Sequence, residues 1–357
     1  MLTLRKHVLP SVLAFLLLTA TACTSESAAG ARPDFLPEEV TSGPGSGATS
    51  AGPGAAAPRL GPASAVDARR VLAEFRGRGM VEHLEALQRI ADDNDGNRAS
   101  GTSGYEESAR YVEDQLRAAG YTPVRQEFTY RSDDKRVKTF NILADTEGSA
   151  ENTVVVGGHL DSVPAGPGIN DNSSGVAAVL ETARWMKESG ITPANRVRFA
   201  FWGAEEAELD GSQHYIDELS AAGVRRTALY LNADMVASPN GVRSINDGDG
   251  SDFGKAGPKG SREIEDVFFR FFRENSLPAE TTPLDGESDY EPFQGAGIPV
   301  GGLFSGDSES KTRAQAQAFG GVAGKGFDAC YHKACDTVDN TNADLLKEMS
   351  AALAYAT

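Results

Sequence analysis

The chain has 357 residues, 40% of them apolar, and a formal net charge of −17 at pH 7. That charge argues against nucleic acid and anionic membrane surfaces as partners, since both are bound through Lys and Arg facing phosphates. The length is ample for one large α/β domain with a full core.

The chain opens MLTLRKHVLPSVLAFLLLTATAC, with Arg5 and Lys6, an apolar run from Val8 to Leu18, and small residues leading to Cys23. The run falls short of the roughly 20 residues a membrane-spanning helix needs, so residues 1–22 are expected to be a secretory signal peptide. Ala20-Thr21-Ala22-Cys23 resembles a bacterial lipobox, in which Cys23 carries lipid; the alternative is an ordinary signal cleaved near the same residues. Residues 23–65 are rich in Gly, Ala, Ser and Pro and bury too little apolar surface to offset the entropy of ordering. They are expected to form the lipidated cysteine and a disordered tether. This layout predicts an exported protein, anchored through Cys23 to the bacterial cytoplasmic membrane, or secreted if it carries no lipid.

Residues 66–357 carry helix and strand patterns in alternation. MVEHLEALQRIADD places Met80, Leu84, Leu87 and Ala91 on one helical face, and SGYEESARYVEDQLRAAGY does the same with Tyr105, Ala109, Val112, Leu116 and Ala119. VRQEFTYR and KTFNILAD read as a strand pair, and TVVVGGHL as a strand buried on both faces. A helix then ends at Gly190, RVRFAFWG is a strand, DGSQHYIDELSAAG one helix, and ALYLNADMV another buried strand. REIEDVFFRFFREN is helical, IPVGGLF a strand, and a last helix begins at about Ala343. The alternation predicts a single doubly wound α/β/α domain with a mixed, mostly parallel central sheet.

In such sheets functional groups collect at the carboxyl ends of the strands. His159 and Asp161 follow TVVVGG, Asp171 precedes the next helix, Glu205 and Glu206 follow RVRFAFWGA, Asp234 ends ALYLNA, and His332 lies in a late loop. Carboxylates gathered at one edge repel unless protons or a cation compensate them. Imidazole and carboxylate donors together suit zinc, with manganese or cobalt as alternatives. Two histidines and three carboxylates are too many for one open tetrahedral ion and suit two ions about 3.5–4 Å apart. Cys330 and Cys335 lie close together in CYHKAC and would pair in an exported chain, leaving Cys23 for lipid. A zinc site at CYHKAC is the competing reading, although a lone C-x4-C is poor spacing for structural zinc.

The motifs H-L-D-S-V, G-I-N-D-N-S-S-G, W-G-A-E-E, N-A-D-M, S-D-Y-E-P-F, G-I-P-V-G-G-L-F and C-Y-H-K-A-C-D-T occur in this order. Together they resemble the secreted Streptomyces-type dizinc aminopeptidases, in the compact form without a protease-associated insert. The resemblance runs from about Leu84 to the C-terminus. It implies that His159 and Asp234 bind one zinc, Glu206 and His332 the other, and Asp171 both. It further implies that Asp161 accepts a hydrogen bond from the His159 ring, that Glu205 is the general base and acid, and that Tyr331 is the oxyanion donor. The implied activity is hydrolysis of N-terminal residues, large apolar ones by family habit, from peptides with a free N-terminus, by a monomer. Phe304 would line the substrate pocket. The family pattern has Arg just before S-D, whereas this chain has Glu287, which is expected to change how the substrate amino terminus is held. Calcium is not carried over, because NADLLKEMSAALA offers Lys347 and Ala351 in place of acidic ligands. The rival readings are a glutaminyl cyclase-like acyltransferase on the same fold and a catalytically silent surface-binding lipoprotein.

Overall fold

A computed structural model describes residues 66–75, 77–132 and 135–357. The expected signal peptide, Cys23 and the tether lie outside the described residues. Helix α1 (Ala68–Glu74), not anticipated from periodicity, starts where the Asp67 side chain accepts the Arg69 N–H at 2.9 Å. Helices α2 (Gly77–Asp93) and α3 (Ser103–Ala118) bury the stripes that the 3.6 period marks; only Ala119 lies beyond its helix and is partly exposed. Strands β1 (Val124–Ser132) and β2 (Lys135–Asp145) form the expected antiparallel pair. Next come β3 (Ser149–His159), α4 (Ser174–Glu188) and β4 (Asn195–Trp202).

The single helix expected over DGSQHYIDELSAAG is two. Helix α5 (Asp210–Asp217) ends, and α6 (Ala221–Arg226) restarts where the Ser220 hydroxyl accepts the Gly223 N–H at 3.1 Å. A capping side chain satisfies a donor that a continuous helix would have used, so the break is local chemistry that periodicity does not register. The chain continues through β5 (Thr227–Ala233), β6 (Ser244–Asn246), α7 (Ser261–Glu274), β7 (Glu280–Thr282), α8 (Tyr290–Gly295) and β8 (Val300–Phe304). Helices α9 (Arg313–Phe319) and α10 (Ala343–Ala356) complete it.

The strands form one eight-stranded sheet in the order β1-β2-β4-β3-β5-β8-β6-β7. β4, β3, β5 and β8 run parallel at its centre, while β1, β2 and β6 pair antiparallel at its flanks. Successive residues of a strand point to opposite faces, and here both faces are covered. Val156, Phe199, Phe201 and Leu231 pack with α2, α4, α7 and α10, whereas Val155, Ala200, Trp202 and Tyr230 pack with Tyr215 of α5 and Phe293 of α8. The layered, mixed sheet is the architecture the alternation predicts. Among the described residues no helix is long and apolar enough to cross a membrane.

Gly158 and Gly175 bring β3 and the start of α4 against β5. A Cβ would stand 2.6 Å and 2.2 Å, respectively, from the Ala233 carbonyl oxygen, so any side chain would push the elements apart.

Between α2 and α4 lies a buried polar knot. Glu181 is 2% exposed and meets His83 Nε2 at 3.1 Å and Arg184 Nε at 2.9 Å, while the Tyr111 hydroxyl meets His83 Nδ1 at 2.6 Å. Burial alone would raise the Glu181 carboxyl, but the bonds to His83 and Arg184 prevail and hold it at about 2, against 4.5 unperturbed. A carboxyl depressed in the folded state stabilises above its unfolded pKa and loses that contribution as pH falls through the folded one. Glu181→Gln is therefore expected to destabilise the fold by up to about 3 kcal/mol at pH 7. The difference should shrink between pH 4.5 and about 2 in urea melts; a pH-independent difference would refute the assignment.

Candidate metal centre

The parallel strands β3, β4, β5 and β8 end at one edge, and the predicted site residues gather there. His159 is the last residue of β3, Glu205 and Glu206 follow β4, and Asp234 follows β5. Asp171 sits in an irregular helical turn, Ile169–Ser173, immediately before α4. Asp171 does not cap that helix; Asn172 Oδ1 instead accepts the Gly175 N–H at 2.8 Å. His332 and Tyr331 project from the loop closed by a Cys330–Cys335 disulfide, the pairing expected for an exported chain. Ala204, Met235 and His332, each among or next to the predicted site residues, hold φ values of 56°, 46° and 57°. Positive φ at non-glycine residues is costly and tends to collect at functional sites.

Asp171 divides its carboxylate. Oδ1 lies 3.2 Å from His159 Nε2, and Oδ2 lies 3.1 Å from His332 Nε2. Asp234 Oδ1 is 3.4 Å from His159 Nε2 on one side, and Glu206 Oε2 is 3.1 Å from His332 Nε2 on the other. Glu205 stands next to the His159 side, its Oε2 3.8 Å from His159 Nε2. Two donor groups thus share Asp171: His159 with Asp234, and His332 with Glu206.

The residues fit zinc on a second count. Glu206 Oε1 and Asp234 Oδ1 are buried and have no hydrogen-bond partner. A buried acceptor left unpaired costs about 1–3 kcal/mol, more for a charged group, and divalent cations held by the imidazoles and carboxylates of the two groups would satisfy these oxygens.

The electrostatics point the same way. Burial, then the Asp171 charge, push Glu206 up to about 7. Burial, with Asp234, Asp289 and Glu206 adding to it, drives Glu205 well above the usual carboxylate range. His332 is raised to about 10 by its bonds to Asp171 and Glu206. Burial opposes ionisation of Asp171 too, yet the bonds from both histidines hold its carboxyl well below the ordinary value. Carboxylates so placed favour protons unless a cation compensates them, and a divalent ion would do so. Tyr331 is raised by burial and by the nearby Asp171, Asp234 and Glu206 charges, which keep its phenol a proton donor, and its ring stacks on His332 with centroids 3.8 Å apart.

Asp161 differs from the expectation. His159 Nδ1 meets the Asp161 backbone carbonyl at 3.2 Å, while the carboxylate stands 3.8 Å away, beyond hydrogen-bond reach. Its Oδ1 instead accepts the Glu205 N–H at 3.2 Å. One residue thus orients the imidazole through its main chain and Glu205 through its side chain. Phe304, partly buried, ends β8 beside the Asp234 strand, where the Asp234 N–H donates to the Leu303 carbonyl at 3.3 Å. Glu287 is exposed and precedes Ser288, whose hydroxyl donates to Asp234 Oδ2 at 2.5 Å.

Sequence reasoning missed the supports. Ser288 braces Asp234, and Asp336 accepts the Asn170 and Asp171 N–H groups at 2.8 and 3.1 Å. Both stand inside quoted motifs, S-D-Y-E-P-F and C-Y-H-K-A-C-D-T, so the signal was their place in those motifs. Asp289 is fully buried with both oxygens unpaired, and burial raises it to about 7.

The sequence profile described as Peptidase family M28 matches residues 141–357. The "Leupeptin-inactivating enzyme 1" of Streptomyces exfoliatus is 45% identical over 276 residues, 77% of this chain and 59% of that protein. The "Probable lipoprotein aminopeptidase LpqL" of Mycobacterium tuberculosis is 48% identical over 225 residues, 61% of this chain and 45% of that one. The chain therefore spans about half the length of the curated relatives it matches. An aminopeptidase from Aneurinibacillus has the same fold at a TM-score of 0.64 and 17% identity, over 81% of this chain and 95% of its own. A glutaminyl cyclase from Bacteroides thetaiotaomicron does so at 0.63 and 18%, over 79% of this chain and 97% of its own. The fold alone is common to a peptidase and a cyclase, but the profile match over more than half of the sequence decides the family: the chain belongs to peptidase family M28.

Proposed function

We propose that the protein is an exported aminopeptidase that uses two zinc ions to hydrolyse N-terminal residues from peptides. The observation that carries this reading is the division of Asp171 between His159 and His332, with Asp234 completing one side and Glu206 the other. When bound, zinc supplies the Lewis acidity that makes water acidic enough to attack near neutral pH. Glu205, beside the ligands but outside the proposed set, takes a proton from the attacking water and returns it to the departing amine. Asp161 holds the Glu205 main chain for that task. Tyr331 donates from its phenol to the carbonyl oxygen as negative charge develops there. The 330–335 disulfide restrains the loop that carries Tyr331 and His332.

Phe304 at the end of β8 supports an apolar wall for the substrate side chain, and the exposed Glu287, next to the Ser288 that bonds Asp234, modifies the grip on the amino terminus. A lipobox-like Ala-Thr-Ala-Cys23 and a Gly/Pro-rich tether support attachment at the cell surface, in keeping with the printed name of the mycobacterial relative.

The test is a panel of aminoacyl-p-nitroanilides together with the zinc content of the purified chain. Two zinc ions per chain and fastest release of large apolar residues are expected. One tightly held zinc with cyclisation of N-terminal glutamine, and no hydrolysis, would make the protein a cyclase instead. Two zinc ions with no turnover of any kind would favour a silent binding lipoprotein.

A further inference from the structure

We propose that Arg98 is a positioning residue of this centre, clamping the connection between His159 and Asp171 so that the two ligands meet at one ion. The inference rests on the metal-centre reading above. Arg98 is fully buried in the turn between α2 and α3, outside every motif used to find the site. Each of its guanidinium nitrogens donates to a backbone carbonyl. Nε reaches Pro167 at 2.8 Å, one terminal nitrogen reaches Gly168 at 2.7 Å, and the other reaches Leu160. Its own main-chain N–H donates to Ser162 Oγ at 2.9 Å. All four partners fall within residues 160–168, the stretch that separates the two ligands.

That stretch needs an outside anchor. It is rich in Gly and Pro, forms no regular element, and makes few backbone bonds of its own. The planar guanidinium presents five donors in a fixed fork, so a single side chain can set the spacing of three carbonyls at once, which a Lys ammonium on a flexible stem does not do. A neutral anchor would avoid the cost of burying a charge. Here the cost is met by surroundings: among the described residues no carboxylate lies within ion-pair distance of Arg98, yet Asp161, Asp336, Asp171 and Glu206 all favour its charged form. Burial lowers it only to about 10, so it stays charged at neutral pH.

The experiment measures zinc affinity by chelator competition on the intact chain, alongside far-UV circular dichroism. Arg98→Lys keeps the charge and loses the fork. It is expected to fold and to bind zinc about 10- to 100-fold more weakly, the usual range for loss of a group that orients a metal ligand. One ion should be lost before the other, because the clamp acts on the His159 side. Leu353→Ala, a core change in α10, controls for general destabilisation and should leave zinc affinity unchanged. Wild-type affinity in a folded Arg98→Lys, or an equal loss in Leu353→Ala, would overturn the inference. If Arg98→Lys does not fold, Ser162→Ala decides. It removes the bond from the Arg98 main-chain N–H together with the hydroxyl's own bonds to the Val163 and Gly166 carbonyls, and should weaken zinc about 2- to 10-fold; unchanged affinity there would overturn the clamp. A wild-type chain that takes up no zinc would overturn both this inference and the metal reading, whereas wild-type binding with unaltered variants overturns this one alone.

Discussion

Glu205→Ala is expected to keep both zinc ions and to lose about 10²- to 10⁴-fold in kcat, the range for removal of a general acid–base group. The carboxylate stands 3.8 Å from His159 Nε2, while Asp171 and Asp234 approach the same nitrogen more closely. It is thus adjacent to the residues proposed to hold zinc and farther from that nitrogen than either of them. Its burial, with Asp234, Asp289 and Glu206 nearby, raises its affinity for a proton, and the opposing charge of bound ions would bring that affinity back toward neutrality. A group poised there both accepts and returns a proton efficiently. The measurement is steady-state turnover of an aminoacyl-p-nitroanilide with zinc content determined on the same sample. Loss of zinc in this variant would make Glu205 a ligand, and undiminished turnover would remove it from the reaction.

Asp171→Asn should have the broader effect, because one residue serves both sides. The amide keeps the shape but loses the charge and half of the acceptor capacity that His159 and His332 now share. Zinc content is expected to fall from two ions to one or none, with turnover falling to the level of the chelated wild type. Stability should follow. A ligand that binds only the folded state at 1,000 times its Kd adds about 4 kcal/mol, so each ion contributes on that scale in saturating metal. The melting temperature of the wild type should therefore rise when zinc is restored to the stripped protein, and that rise should be largely absent in Asp171→Asn. An equal rise in both would show that the ions bind elsewhere.

These two residues were legible in the sequence for different reasons. Asp171 stands between the end of an apolar strand run and the start of a helical one, where an α/β sheet puts its crevice, and G-I-N-D-N-S-S-G named it by resemblance. Glu205 was distinguished from Glu206 by resemblance alone, since adjacent carboxylates in one loop are equivalent to spacing and composition. The structure separates them by direction: Glu206 turns to His332 and Glu205 to His159. The helical stripes of α2 and α3 were legible because one buried face repeats every 3.6 residues. The three-residue strands β6 and β7 were not, because so short a segment carries no period to detect. The split of α5 from α6 turned on one serine hydroxyl.

Local pattern carries the period of each long element, the order of the elements, and the types of residue at the strand ends. Those suffice for the fold class and for a set of candidate metal-binding side chains, because periodicity and composition are properties of neighbouring residues. The packing of distant segments sets which atoms meet. It turned the Asp161 carboxylate from the His159 ring to the Glu205 main chain, set Asp336 beneath an Asp171 lying 165 residues earlier, braced Asp234 with Ser288, and seated Arg98 against a loop more than 60 residues away. Such contacts depend on how strands register and how loops cross the sheet edge, and no window of the sequence contains both partners.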